Sequence, residues 1–466
     1  MGAQASIGKY KPCQQWRTVT RKAVTDRNDN TMNRAMILGK FDPGSAKGQA
    51  RKIVWRCPLP GNRFARGALA LTFACLFGGL VVAEGSDFVK RGHDVASRTP
   101  EVITEPRWER YGDHMRKFQG IPGIERAENG RLWATWYANN VVADEGPDNY
   151  VVLVSSDDDG ETWSRPRLVI DPEGLVRAFD PVLWIDPTGR MWLFWSQSHS
   201  WWDGRGGVWA MTTDNPGHPE PTWSRPRRLF NGVMMNKLTV LSTGEWLAPA
   251  AVWKREIKTT GHRPIKEEHV IFRKPDEMFS NVWRSTDRGD TWEFIGKADV
   301  PDRLYDEHMI LEREDDSLWM LVRTRYGIGE SFSDDRGITW TPGEPSEIDH
   351  VSARFFIRRL QSGNVLLIKH DPPEDDPGRS HLTAFLSTDD GESWEGGLVL
   401  DERLGVSYPD AIETDEGVIY AIYDYDRRGE RKILMAVFDE KDVREGELVS
   451  EGSRLKVLVN QAGGDG

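Results

Sequence analysis

The stretch from Leu304 to Trp340 decides the fold, and it reads LYDEHMILEREDDSLWMLVRTRYGIGESFSDDRGITW. It contains three short apolar-rich runs separated by charged or glycine-containing breaks. Such runs are typical of short antiparallel strands rather than helices. Glu307 and Arg323 stand inside two of the runs, where a purely structural strand favours Val or Thr. The stretch therefore indicates both a β fold and a chemical role.

The end of this stretch, Ser333-x-Asp335-x-Gly337-x-Thr339-Trp340, belongs to an internal repeat. Close copies begin at Ser156, Ser285 and Ser387, and a degenerate copy begins at Thr212. Successive starts are 56, 73, 48 and 54 residues apart, and the longest interval holds a charged insertion near residues 254–277. Ser and Asp side chains can bond nearby backbone groups and close a turn, and glycine supplies the positive φ that such a turn needs. We interpret the copies as structural hairpins without a catalytic role.

A period near 50 residues with several strands in each unit predicts propeller blades. Five repeat positions and a closing unit from Gly405 to Phe438 give six blades over residues 105–462. The 20 tryptophans are consistent with a large aromatic core. The sequence therefore predicts an all-β protein, a six-bladed β-propeller.

The net charge of −12 conceals an asymmetry along the chain. Residues 1–83 contain 14 Lys/Arg and 3 Asp/Glu, whereas the remainder contains 47 and 70. An acidic main body argues against a nucleic-acid partner, which requires a basic face. Cysteines occur only at Cys13, Cys57 and Cys75. The propeller thus has no thiol chemistry, disulfide or thiolate metal site.

The first hundred residues differ from the rest in composition. Residues 1–50 are polar and basic, and we expect them to be disordered or to lie upstream of the true start. Residues 51–83 combine basic positions with an apolar run from Ala68 to Ala83, which is typical of a signal peptide, with a short anchor as the alternative. Residues 84–104 are predicted to be a linker. Both interpretations, signal peptide and anchor, place the main domain outside the cytoplasm. We therefore expect a secreted or periplasmic protein whose mature domain is not inserted in the membrane.

The repeat is the Asp-box, also called the BNR repeat, and six blades bearing it resemble the sialidase (neuraminidase) superfamily. That family binds the substrate carboxylate with three arginines, one of them in an Arg-Ile-Pro motif on the first blade. Here the matching residues are Gly120-Ile121-Pro122, so Gly120 stands where the arginine is expected. Arg323 and Arg379 match the second and third arginines.

The resemblance also implies catalytic residues. Tyr408, in Ser407-Tyr408-Pro409-Asp410, matches the family nucleophile, and Glu307 matches the glutamate that activates it. The acid/base aspartate is expected in a loop before the first box, where Asp144, Glu145 and Asp148 all lie. Of these three candidates we favour Asp148.

The chemistry of these residues suits an acidic sugar. A neutral tyrosine avoids the repulsion that a carboxylate nucleophile meets near a substrate carboxylate, and tyrosine sialidases are a known exception among glycosidases. Because free tyrosine has a pKa of about 10, it needs an adjacent base. Arginine forks bind carboxylates in a bidentate manner. We therefore expect a cofactor-independent, retaining exo-glycosidase that removes a terminal acidic sugar, sialic acid or a related one, from glycans.

Further residues are candidate substrate contacts or structural groups. Arg354, His308, His381 and Asp410 lie near the residues above in sequence, and Arg354 is a candidate replacement for the arginine missing at position 120. No ligand spacing such as His-x-x-x-His supports a metal site. Each site residue also has a structural alternative: Arg323 as an ion pair with Glu307 or Glu330, Arg379 as a solvated loop residue, and Tyr408 as a plain strand aromatic.

Two other functions remain open from the sequence. One is a non-catalytic carbohydrate-binding propeller, and the other is a hydrolase or lyase acting on uronic-acid-containing polysaccharide in an open groove. The glycosidase hypothesis requires Tyr408 and Glu307 to lie in one pocket. A separation above about 5 Å would defeat it, because a general base needs hydrogen-bond reach.

Overall fold

The computed structural model describes residues 96–199, 202, 206–253, 275–375 and 377–463. The predictions made for residues 1–50 and 51–83, most of the predicted linker and most of the charged insertion lie outside these ranges. No helix within them is long and apolar enough to cross a membrane.

The described chain forms six antiparallel sheets arranged as a six-bladed β-propeller, as predicted. The first three blades contain β1 (Val102–Ile103), β2 (Phe118–Arg126), β3 (Leu132–Asn139), β4 (Tyr150–Ser156) and β5 (Leu168–Ile170); then β6 (Val176–Ile185), β7 (Met191–His199), β8 (Gly207–Thr213) and β9 (Arg227–Asn231); then β10 (Thr239–Val240), β11 (Trp246–Ala251), β12 (Ser280–Ser285) and β13 (Glu293–Ala298).

The last three blades follow the same order. They contain β14 (Arg303–Glu312), β15 (Leu318–Thr324), β16 (Gly327–Ser333) and β17 (Glu344–Pro345); then β18 (Phe356–Arg359), β19 (Val365–His370), β20 (Leu382–Ser387) and β21 (Glu395–Asp401); then β22 (Val406–Glu413), β23 (Ile419–Tyr425), β24 (Lys432–Phe438) and β25 (Arg454–Gln461). Contacts between neighbouring blades join β2 to β6 and β22, and β14 to β18. These strands therefore line the axis.

Short helices occur only at connections in the described ranges. They are α1 (Trp108–Tyr111), α2 (Glu440–Glu445) and the 3-10 turns Asp113–Met115 and Pro275–Glu277. Val102–Ile103 pairs with β5 as an edge strand of the first blade, although the sequence placed it in the linker. The backbone there gains a hydrogen-bonding partner from the sheet edge, a tertiary contact that composition does not reveal.

The Asp-boxes lie where predicted, on the turns between the two outer strands of a blade. At the first box, Ser156 Oγ accepts a bond from the Gly160 amide at 2.9 Å, and Asp158 Oδ1 accepts one from the Thr162 amide at 2.9 Å. The same two bonds recur at the boxes that begin with Ser285, Ser333 and Ser387. The degenerate copy joins β8 to β9, and the sixth blade has α2 in this place.

The core lies between the blades and is rich in tryptophan. All eight residues of β3 are buried, because adjacent blades cover both of its faces. The largest fully buried side chains include five indoles: Trp133, Trp136, Trp184, Trp192 and Trp195. The aromatic core expected from composition is thus confirmed.

Hydrogen bonds between the first and sixth blades close the ring. Gln119 on β2 is fully buried and donates through Nε2 to the Arg431 carbonyl at 2.7 Å and to Asn460 Oδ1 at 2.9 Å. Asp424 on β23 accepts from the Ile121 amide at 2.8 Å. This seam holds blades from opposite ends of the described chain beside each other at the axis.

Candidate active site

A cavity of about 480 Å³ lies where the inner strands converge. All six blades contribute side chains or backbone to its wall, which consists of Tyr137, Asp144, Glu145, Asp180, Met235, Trp253, Tyr305, Glu307, Arg323, Arg379, Gly405, Ser407, Tyr408, Asp426, Arg427 and Arg428. The volume lies in the range of small-molecule sites. Aromatic rings, carboxylates and guanidiniums thus face a single space.

Irregular backbone in the inner strands aims several of these side chains into the cavity. Asp180 and Tyr408 each precede a proline, adopt φ of 49° and 57°, and sit where the strand register shifts. Ile121 before Pro122 has the same geometry in β2. A bulge of this kind turns a side chain away from the regular pleat. These three strained conformations lie on inner strands, where surrounding packing must hold them.

Strand β14 carries the largest such irregularity. Tyr305, Asp306 and Glu307 have φ of 63°, 58° and 45° in succession. The carbonyls of this turn accept bonds from outside their own blade, since Trp253 Nε1 of the third blade donates to the Tyr305 carbonyl at 2.8 Å. Asn236 Nδ2 lies 2.9 Å from the Glu307 carbonyl. These bonds fix the direction in which the Glu307 side chain points.

Tyr408, Glu307 and Arg323 meet within the cavity. The Tyr408 hydroxyl donates to Glu307 Oε1 over 3.4 Å, and Arg323 Nη1 donates to the same Oε1 at 2.6 Å and lies 3.4 Å from the hydroxyl. Glu307 Oε2 has no hydrogen-bond partner among the described residues. The separation lies inside the limit of about 5 Å set for a general base.

Two further guanidiniums flank the Tyr408 ring. Arg379 lies 5.6 Å from the ring centroid, with Nη1 donating to Ser407 Oγ at 3.0 Å and Nη2 to the Ser352 carbonyl at 2.9 Å. Arg427 lies 4.7 Å from the centroid. Sequence reasoning missed Arg427, because an arginine in the turn after β23 has the pattern of an ordinary solvated loop residue.

The carboxylates of the cavity differ in their surroundings. Asp144 pairs with Arg428 at 2.7 Å, and Glu145 lies 3.8 Å from both Arg177 and Arg427. Asp180 is 3% exposed, and its burial raises the pKa of its carboxyl group well above the usual range, with the nearby Glu145 and Glu307 charges acting in the same direction. Burial therefore favours the protonated form of the Asp180 carboxyl group.

Asp148, the acid favoured from the sequence, does not line the cavity. It is partly buried in the loop between β3 and β4, while its neighbours Asp144 and Glu145 reach the wall. Asp180 was missed, although the sequence carried a signal. The Asp180-Pro181 step repeats the Tyr408-Pro409 step of another inner strand.

Arg354 and Asp410, predicted to contact substrate, are buried beneath the cavity. Arg354 Nε donates to Asn236 Oδ1 at 2.7 Å, and its Nη2 lies 3.6 Å from Asp410 Oδ1. Asp410 Oδ2 is 3.2 Å from Lys237 Nζ. This network connects the strand of Tyr408 with the Asn236 side chain that holds the Glu307 backbone. Both residues are therefore placed to support the site rather than to contact a ligand.

The two predicted histidines also lie off the cavity wall. His308 Nε2 is 2.9 Å from the Asn281 carbonyl, and burial lowers the pKa of this imidazole to about 4. His381 has φ of 48° and contacts Ser380 Oγ through Nδ1 at 3.0 Å. Within the described ranges no group of three or more potential ligands is arranged to hold a metal ion.

One family model and two relatives of known sequence match this chain. The model of the BNR repeat-like domain family matches residues 126–421. A sialidase from Bacteroides fragilis is 25% identical over 351 residues, which cover 67% of this chain and 61% of the relative. A xyloglucanase from Acetivibrio thermocellus is 25% identical over 187 residues, or 34% of this chain and 22% of the relative. The chain thus spans less than two thirds of each of these relatives.

Solved structures show the same fold. A Hadza microbial sialidase has a TM-score of 0.56 at 19% identity, covering 72% of this chain and 68% of that one. The leech intramolecular trans-sialidase has a TM-score of 0.54 at 14% identity, with coverage of 71% and 69%. The family match, which spans more than half of the chain, agrees with the boxes and the six blades. The chain belongs to the BNR repeat-like domain family, within the sialidase-like superfamily of β-propellers.

Proposed function

We propose that this protein is a retaining exo-glycosidase that releases a terminal carboxylated sugar, sialic acid or a related one, from a glycan. The observation that carries the proposal is the contact of the Tyr408 hydroxyl with Glu307 Oε1 and Arg323 Nη1, each at 3.4 Å, inside the axial cavity. The sialidase named among the relatives supports the same class of substrate.

The first step forms a bond between the Tyr408 oxygen and the anomeric carbon. Glu307 takes the phenolic proton as the oxygen attacks, and the Arg323 cation offsets the charge that collects around this pair. The bond from the anomeric carbon to the leaving oxygen breaks, and that oxygen takes a proton from an acid. The carboxyl group of Asp180 lines the cavity, and its burial raises its pKa. We therefore place the acid at Asp180.

The second step releases the sugar. A water molecule loses a proton to the Asp180 carboxylate and attacks the anomeric carbon, while the Tyr408 oxygen leaves and recovers its proton from Glu307. Two displacements at one carbon retain the anomeric configuration. Arg323 and Arg379 supply positive charge that holds the sugar carboxylate.

Tyr408→Phe tests the nucleophile. The variant keeps the ring on which Arg427 and Arg379 rest and removes only the oxygen, so we expect intact folding and a loss of kcat of at least about 10³-fold. The assay uses aryl glycosides of sialic acid and glucuronic acid, with a neutral rhamnoside for comparison. Full activity in Tyr408→Phe would eliminate the tyrosyl mechanism. Binding of acidic sugars without turnover by wild type would favour a carbohydrate-binding propeller.

Asp180→Asn tests the acid, with Asp148→Asn as the matched control in the loop outside the cavity. Loss of the proton donor matters most when the leaving group is basic, so we expect a decrease of about 10²–10⁴-fold with an alcohol leaving group and a much smaller one with an activated phenol. The kcat/KM of both variants is measured with both leaving groups. Equal losses in Asp180→Asn for the two leaving groups would contradict the assignment, as would a larger effect of Asp148→Asn.

A further inference from the structure

Arg427 of the sixth blade fills the space beside Gly120 on the first blade. A Cβ atom added to Gly120 would lie 2.3 Å from Arg427 Cδ and 2.6 Å from its Cγ. Both distances are below any ordinary carbon–carbon contact. The present position of Arg427 therefore requires glycine at position 120, where the family resemblance implies an arginine. The first blade thus contributes no cation to the cavity wall at position 120, and the sixth blade contributes the Arg427 cation beside it.

The guanidinium of Arg427 lies near two carboxylates, and part of its hydrogen-bonding capacity is unused. Its side chain is 12% exposed, with Nε 3.8 Å from Asp424 Oδ1 and Nη1 3.8 Å from Glu145 Oε1. These separations allow attraction between charges but exceed the hydrogen-bond range. Nη1 has no hydrogen-bond partner among the described residues. A buried donor in this state favours a ligand that supplies an acceptor.

The position of Arg427 also suits a charged ligand near Tyr408. Its guanidinium carbon lies 4.7 Å from the Tyr408 ring centroid, and that of Arg379 lies 5.6 Å from it. Arg323 reaches the hydroxyl of the same tyrosine. Three cations from the fourth, fifth and sixth blades thus surround one ring, without a contribution from Gly120.

We propose that Arg427 is the third carboxylate-binding arginine of this cavity and that Gly120 is a specificity-determining residue because it keeps the position of Arg427 open. The inference rests on the proposed function, since it names how that site recognises the acidic sugar. It accounts for the absence of an arginine at position 120 without loss of charge at the site. Recognition of the sugar carboxylate then depends on Gly120 and Arg427 together rather than on either residue alone.

Two variants test the pair by different means. Arg427→Gln removes the charge, and Gly120→Ala keeps the charge but displaces the side chain that carries it. Gly123→Ala is the matched control on the same strand, because its Cβ would meet Thr135, Asp410 and Leu183 only at 3.4–3.5 Å. Affinity is measured by calorimetry for free N-acetylneuraminate and glucuronate and for their methyl esters, which lack the charge. Thermal unfolding of each variant confirms that it folds.

We expect Arg427→Gln and Gly120→Ala each to weaken binding of the acids by about 10- to 100-fold, the usual effect of losing one charge-assisted fork. Binding of the esters should change little, and Gly123→Ala should behave as wild type. If wild type binds the acids and Arg427→Gln binds them equally well, the inference is wrong while the proposed function stands. If wild type binds them without turnover and Arg427→Gln weakens that binding, the inference holds and the hydrolase proposal fails. If wild type binds neither acid, both are overturned.

Discussion

At the scale of the residue, the site depends on side chains whose neighbours are remote in sequence. The Tyr408 hydroxyl meets a carboxylate 101 positions earlier in the chain. Asp180 owes its raised pKa first to burial, which only the surrounding blades provide. Asp424 is a further example, because it is fully buried against the Ile121 amide and Arg427.

Asp424 provides a test of buried charge through the pH dependence of stability. Burial raises the pKa of its carboxyl group from 3.8 to about 6, against the opposing effect of Arg427. Because the folded pKa lies above the unfolded one, the native state loses stability as pH rises from about 4 through 6. We expect Asp424→Asn to lack this loss. The free energy of unfolding of the variant, relative to that of wild type, should therefore increase by roughly 3 kcal/mol as the pH rises from about 4 to about 6.

The measurement is urea unfolding of wild type and Asp424→Asn at several pH values across that window. Asparagine keeps an oxygen that accepts the Ile121 amide, so the comparison isolates the charge. Parallel stability curves for the two proteins would show that Asp424 does not titrate in this range.

At the scale of the element, the Asp-box is a local device, closed by bonds that span four residues. This is why it could be identified from sequence in four copies. The inner strands are the opposite case, since their bulges place Asp180, Glu307 and Tyr408 in the cavity. The only sequence signal is faint: Asp180 and Tyr408 each precede a proline, and Glu307 does not. Backbone irregularity is decided by packing around the axis, and its sequence preference is weak.

The box glycine makes two separate contributions to stability. Gly289 has φ of +83°, and a Cβ there would lie 2.7 Å from the Trp192 ring. Gly189, in the turn between β6 and β7, has the same φ of +83° with nothing within 4 Å. We expect Gly189→Ala to cost about 1–2 kcal/mol from backbone strain alone, and Gly289→Ala to cost about 1–3 kcal/mol more from the clash. Denaturant unfolding compares the two, and equal losses would mean that the ring simply moves aside.

At the scale of the whole molecule, the ring must be closed between blades from opposite ends of the described chain. Gln119 is the central side chain of that seam. The two bonds that its Nε2 donates reach residues 312 and 341 positions away. The same seam positions Gly120, Asp424 and Arg427, so the integrity of the ring and the shape of the cavity are coupled.

Gln119→Ala tests the seam. Removing this fully buried amide deprives the Arg431 carbonyl, Asn460 Oδ1 and Arg116 Nη1 of a hydrogen-bond partner, which should destabilise the fold by about 1–3 kcal/mol. Gln361→Ala is the control: that exposed amide joins the fifth blade to the Thr414 carbonyl, and we expect a change within about 0.5 kcal/mol. Hydrogen exchange should rise in β2 and β24 of the first variant but not in β14. Uniform acceleration in all blades would contradict a local seam.

The sequence by itself determined the repeat, the strand class, the six blades and the aromatic core, because these follow from bonds and contacts within one repeat unit. It also predicted a site at Tyr408, Glu307, Arg323 and Arg379, which are unrepeated polar residues in or beside otherwise apolar strands and which all line the axial cavity. The tertiary structure alone decided that Asp180 and Arg427 face the cavity and that Asp148, Arg354, His308, His381 and Asp410 do not line it. The physical reason is that the cavity is formed by all six blades, so the direction and burial of each side chain depend on blades that are remote in sequence.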